Sequence, residues 1–292
     1  LPAIAQEAFV LIDSPAMSAL FAQVIGQLTA LNDQIFWSIN GLAGRSWMFD
    51  SLVGLSQEND LIKAGIIGCC FFAAWFSGKT AEEIRAHRKT LMITLVAAVC
   101  VLGATKVISR AIPLPRPVIK TQKIYHLNGD DLVEMQRTHV HVPLDETSQK
   151  EHRDLLQGDV QTNDLGSFPS DHAGFFLAIS LGIFFASRRI GIVALVWTAV
   201  VILGGKLITG AHTPLDILAS AVVAVSVLMA LRFVARSRLG NVLDHVSALT
   251  LKYSALSSAI LFAVVFEISS TLFHVRHFLA LIVAARRHLM LG

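Results

Sequence analysis

Three polar runs in an otherwise apolar chain hold residue types suited to phosphoryl transfer. The first is Lys106 followed by Arg116-Pro117, the second Pro169-Ser170-Asp171-His172, and the third Lys206, His212 and Asp216 within KLITGAHTPLD. Cationic side chains neutralise charge on a transferring phosphoryl group. One histidine can attack phosphorus while another protonates the leaving oxygen. A carboxylate four residues after His212 can fix its tautomer and raise its basicity. Each run also has a structural reading. Ser170 is a good N-cap with Asp171 in the positive first turn, and Thr213-Pro214-Leu215-Asp216 reads as a capping box with proline at N1. The two readings are compatible, because a capped helix start also presents free amides to phosphate oxygens.

The elements that must position these residues are membrane helices. Of 292 residues, 54% are hydrophobic and only 15% charged, with a mean hydropathy of +0.61. Soluble domains carry roughly 25% charged residues. Six apolar stretches read as spans: Leu61–Gly78, Thr90–Ile108, Ala173–Ser187, Ile190–Ile208, Leu215–Leu231 and Tyr253–Val275. The expected fold is therefore an all-α membrane protein, a six-helix transmembrane bundle over residues 61–275. Residues 1–60 hold the moderately apolar stretches Ala16–Leu31 and Ile35–Leu55 and read as N-terminal interfacial helices, and 276–292 as an amphipathic tail. Alternating spans put all three polar runs on one side.

Basic residues set the orientation. Lys79, Arg85, Arg88 and Lys89, then Arg188 and Arg189, then Arg232, Arg236, Arg238 and Lys252 fall in connections on the opposite side. That side is expected to be cytoplasmic, with the polar runs exterior. Arg276, Arg286 and Arg287 at the carboxyl end run against this scheme, and Glu267 inside the last stretch should face protein.

One sizeable polar segment, residues 118–168, lies on the exterior side and reads as a cap loop. Asn128-Gly129 between the alternating stretches Thr121–Leu127 and Leu132–Val142 signals a β-hairpin. On such a strand His139 and His141 share one face, more simply a solvated ribbon than a metal pair. Cys69, Cys70 and Cys100 sit in apolar runs and read as buried thiols. No histidine, cysteine or carboxylate grouping has metal spacing, so neither a metal nor another cofactor is expected. The net charge of +3 lacks a basic stripe, which excludes nucleic acid as the expected partner.

With these residues in hand, the chain resembles the type-2 phosphatidic acid phosphatases, whose signature is KxxxxxxRP, PSGH and SRxxxxxHxxxD. FPSDHA and Gly205-Lys206-(x5)-His212-(x3)-Asp216 match its second and third parts. The resemblance implies a lipid phosphatase with His212 as the phosphorylated nucleophile and Asp216 orienting it. It implies His172 as general acid and then base, and Ser170, Arg116, Lys106 and Lys206 as the phosphate cradle. The FPSDHA variant is similar to undecaprenyl pyrophosphate phosphatases of the bacitracin-resistance type. A lipid pyrophosphate or phosphate in a bacterial inner membrane is the implied substrate, with lipid A or phosphatidylglycerol phosphate, transfer to another acceptor, or non-catalytic lipid binding as alternatives.

The chain departs from the signature in three places. Nine residues, against six, separate Lys106 from Arg116, so Arg110 could substitute for the lysine. Gly205-Lys206 replaces Ser-Arg, trading a bidentate fork for a point charge. Asp171 replaces glycine, placing an acid beside a phosphate site.

Overall fold

The computed structural model describes residues 15–119, 124–128, 131–135, 139–160 and 162–269. Helix α1 (Pro15–Asn40) runs unbroken through Asp33, where the sequence pattern suggested a pause between two apolar stretches. Helix α2 (Trp47–Glu58) follows, started by Ser46, whose hydroxyl accepts from the Phe49 amide. At Asn59 the chain turns by 65° into α3 (Asp60–Phe76). The Asn59 side chain accepts from the amides of Leu61 and Ile62 at 2.9 and 3.2 Å, so a new helix starts there.

Helix α4 (Ala81–Ala111) is capped by Thr80 and reaches beyond both ends of the predicted span. After it come paired strands β1 (Ile124–Asn128) and β2 (Asp131–Met135), antiparallel with Asn128 opposite Asp131. Residues 139–143 have no regular structure, so His139 and His141 do not share a strand face. The short amphipathic helix α5 (Glu146–Leu156) completes the polar segment, N-capped by Asp145.

Helix α6 (Asp171–Ala186) is central, packed against α4, α7 (Arg188–Ile208) and α8 (Pro214–Val234). Close approach explains two of its glycines. A Cβ on Gly174 would meet Val101 at 2.9 Å, and one on Gly182 would collide with Thr94. Phe71, Trp75, Leu91, Phe175, Phe176 and Ile183, all nearly inaccessible, fill the space between α3, α4 and α6. Within α7 the hydrogen bonding widens to a π-helical segment over Thr198–Leu203, just before the polar residues at its end.

The predicted connection after span five is a helix, α9 (Arg238–Lys252), turned 114° from α10 (Ser254–Ser269). Arg88 ties α9 to α4. Its guanidinium donates to Thr250 O at 2.7 Å and stacks 5.0 Å from the Trp75 ring centroid. Glu267 is half-buried, and the tail at 276–292 lies outside the described residues.

Helices α4, α7 and α8 are long and apolar enough to cross a membrane, and each of the bent pairs α2–α3 and α9–α10 could supply one more. Helix α6 has only 16 residues, short of the roughly 20 that a crossing takes. Length and composition among the described residues thus give three to five full spans, where the sequence pattern gave six.

Candidate active site

The three polar runs meet at one end of the bundle. The Arg116 segment is pinned from two sides: Arg116 N donates to Asp164 O and Val118 N to Gly210 O, both at 2.9 Å. Ser167 N donates to Leu114 O at 2.9 Å, so the chain ahead of FPSDHA lies beside the chain around Arg116. The Ser220 hydroxyl donates to Ser170 O at 2.8 Å and joins α8 to the start of α6.

Past the end of α7, Gly210 takes a positive φ of 70° that L side chains rarely adopt. The turn carries His212 inward to 1% exposure. His212 Nδ1–H donates to the backbone carbonyl of Ser167 at 2.9 Å, leaving Nε2 as the ring nitrogen without a hydrogen-bond partner among the described residues. Asp216 Oδ2 lies 3.9 Å from the same Nδ1, outside hydrogen-bond range. That oxygen accepts instead from the Ser167 hydroxyl and the Thr213 amide, each at 2.7 Å, and the latter closes the capping box that starts α8. Asp216 is therefore linked to His212 through Ser167, a residue without a motif of its own, in place of a direct hydrogen bond.

Burial chiefly, with the positive charges of Arg116 and Lys206 adding to it, holds the His212 pKa well below the usual 6.5. The neutral imidazole is the favoured form there.

Arg116 and Lys206 line a cavity of about 320 Å³, together with Ala211 next to His212. The Arg116 Nε is buried with no hydrogen-bond partner among the described residues. An unsatisfied guanidinium donor beside a lysine is the arrangement an oxyanion would complete. The same cavity is lined by Glu58 of α2 and by Glu151, His152 and Asp154 of α5, so the cap helix contributes to its wall. Arg110 is exposed at the last turn of α4 and does not line this cavity.

The remaining predicted residues sit at the start of α6. The Ser170 hydroxyl is fully buried and accepts from the Ala173 amide at 3.4 Å, as an N-cap does. His172 Nδ1 contacts Asp171 Oδ1 at 2.8 Å, and Lys106 Nζ contacts Asp171 Oδ2 at 2.6 Å. Lys106 thus engages a carboxylate and is not among the cavity-lining residues.

Two N-terminal residues also support the site without any motif to announce them. Gln57 of α2 donates to Val201 O at 3.0 Å and lies where a side chain at position 205 would go, so Gly205 leaves room for the Gln57 amide at the cavity wall. Asn40, fully buried at the end of α1, donates to the carbonyls of His141 and Ile208 at 3.0 Å and accepts from His141 N at 2.9 Å. It clamps the cap segment to the end of α7. Among the described residues no group of three or more His, Cys, Asp or Glu is placed to hold a metal ion.

A model of the PAP2 superfamily matches residues 67–230, more than half of the chain and all three polar runs. The chain belongs to the PAP2 superfamily. Members are phosphatases acting on phosphate esters, often those of lipids, and with the apolar helices the membership marks an integral membrane hydrolase. No curated protein and no solved structure matches the chain.

Proposed function

We propose that this PAP2 member is a lipid phosphatase that turns over through a phosphohistidine on His212. The observation that carries the reading is the buried His212, its Nδ1–H held by Ser167 O and its ring within electrostatic reach of Arg116 and Lys206, which line a cavity with the adjoining Ala211. His212 Nε2 attacks phosphorus while Arg116 and Lys206 neutralise the oxygens. His172 protonates the departing lipid oxygen and then takes a proton from the attacking water. These side chains supply both the charge neutralisation and the proton transfers, so the proposed reaction needs no metal. Asp216 and Ser170 hold the frame.

A lipid pyrophosphate is the first candidate substrate, undecaprenyl pyrophosphate above all, on the strength of FPSDHA. The basic residues of the α3–α4 and α6–α7 turns and of α8–α9 support a cytoplasmic placement for the opposite end, with the site at the exterior face of a bacterial inner membrane. A second reading, transfer of the phosphoryl group to a polar acceptor or acting on a larger head group, draws support from the carboxylate wall of Glu58, Glu151, Asp154 and Asp159. Such a wall repels additional anions and suits hydroxyl or amine groups.

Purified protein in detergent, offered prenyl pyrophosphate, phosphatidic acid, phosphatidylglycerol phosphate and lipid A, is expected to release phosphate from at least one without added metal. His212→Ala abolishes the release. Wild type that binds lipid but releases and transfers no phosphate from any of them would favour a non-catalytic lipid-binding role.

A further inference from the structure

Asp171 occupies the position where the superfamily signature has glycine, and its surroundings give it a task. Its carboxylate is 15% exposed and bridges two helices: Oδ1 meets His172 Nδ1 at 2.8 Å and the His172 amide at 2.7 Å, while Oδ2 meets Lys106 Nζ of α4 at 2.6 Å. Three contacts on two oxygens leave the carboxylate little freedom. A carboxylate accepts only, so Nδ1 of His172 must carry a hydrogen and Nε2 is left for exchange with substrate. The counter-charge from Lys106 also removes the conflict of an acid beside a phosphate site.

We propose that Asp171 is a positioning residue for His172, and that Lys106 acts through Asp171 in place of contacting phosphate. The inference rests on the reading of His172 as the acid and base of a phosphohistidine cycle. In the first half-reaction the His212 Nε2–P bond forms, the P–O bond to the lipid breaks, and the leaving oxygen takes the proton from His172 Nε2. In the second, water attacks phosphorus, its proton goes to His172 Nε2, and the N–P bond breaks to free phosphate. The Nδ1 hydrogen stays on His172 throughout, held by Asp171, which itself gains no proton.

The test compares Asp171→Ala, Asp171→Asn and Lys106→Met on an alkyl ester (phosphatidic acid) and on an aryl ester (p-nitrophenyl phosphate) whose leaving group departs without protonation. Asp171→Ala is expected to lower kcat on the alkyl ester by roughly 10²-fold with little change in KM, the scale of a misplaced general acid. The pre-steady-state burst of nitrophenol stays within a few-fold of wild type, which also shows that the variant is folded. Asp171→Asn recovers part of the loss, because its amide oxygen can still accept the Nδ1 hydrogen. Lys106→Met adds nothing further to Asp171→Asn, as expected of partners in one contact.

Equal losses on both esters, an unchanged kcat in Asp171→Ala, or additive effects of Lys106→Met and Asp171→Asn would each overturn the proposal. His212→Ala separates the levels. A burst that survives in that variant removes the phosphohistidine reading, and the role of Asp171 with it. A burst abolished there alongside a normal Asp171→Ala removes only the role of Asp171.

Discussion

The His212 ring is fixed by the backbone of Ser167, with 2.9 Å from Nδ1 to the carbonyl oxygen, while the Asp216 carboxylate stands 3.9 Å away and holds the Ser167 hydroxyl. A main-chain carbonyl cannot be removed by substitution, so the tautomer of His212 depends on where the chain ahead of FPSDHA lies.

Asp216 therefore has a structural duty that can be separated from chemistry. Asp216→Ala removes the acceptor for the Ser167 hydroxyl and half of the α8 capping box, at a cost of about 1–3 kcal/mol. Asp216→Asn keeps an oxygen acceptor and is expected to retain measurable turnover, well above that of His212→Ala. Thermal unfolding and kcat measured on the same preparations check both statements.

The pH dependence follows from the direction of the His212 shift. Burial first, then Arg116 and Lys206, disfavour the imidazolium, so loss of activity through protonation of His212 belongs well below pH 6.5. Arg116→Gln removes one opposing charge. Protonation then becomes easier and the acid limb of kcat/KM moves to higher pH. A limb that stays in place, or moves to lower pH, contradicts the assignment.

A side chain at Gly205, where the signature has serine, is predicted to displace the Gln57 amide. Gly205→Ser drives a hydroxymethyl group into the Gln57 amide, which must swing aside and give up its hydrogen bond to Val201 O. Loss of one such hydrogen bond costs typically about 0.5–1.5 kcal/mol. A melting temperature equal to wild type would show that the Gln57–Val201 contact adds nothing to stability.

Asn40→Leu tests the footing of the cap. Three hydrogen bonds to His141 and Ile208 are lost; the one to Ile208 O is fully buried, and leaving that carbonyl unsatisfied costs about 1–3 kcal/mol. The cap segment around residues 139–145 is expected to gain proteolytic sensitivity before the bundle does, which limited proteolysis followed by mass mapping reads directly.

The legible parts of this chain were those encoded locally. FPSDHA and KLITGAHTPLD are short runs in which capping chemistry and reactive side chains coincide, and the structure brings them together with Arg116. Ser167, Asn40 and Gln57 carry no local mark. Each is a common polar residue whose importance lies in a partner 45, 101 or 144 positions away. The role of Asp171 was hidden for the same reason, since a lysine two segments earlier had to be placed before the acid made sense. Helix α9 lies where the basic residues predict a connection, because its apolar residues are interleaved with Arg, Asp, His and Lys, a pattern that fits an amphipathic helix as well. The break between α2 and α3 at Asn59 is a cap signal, and hydropathy alone cannot register it.

The most direct measurement is to quench the enzyme during turnover of a lipid carrying ³²P in the scissile phosphate and to locate the label by peptide mapping. A phosphorus–nitrogen adduct on His212, stable in alkali and labile in acid, is the predicted result, absent from His212→Ala. Rapid turnover with no covalently held phosphate at any quench time, or label mapped to another residue, would contradict the account.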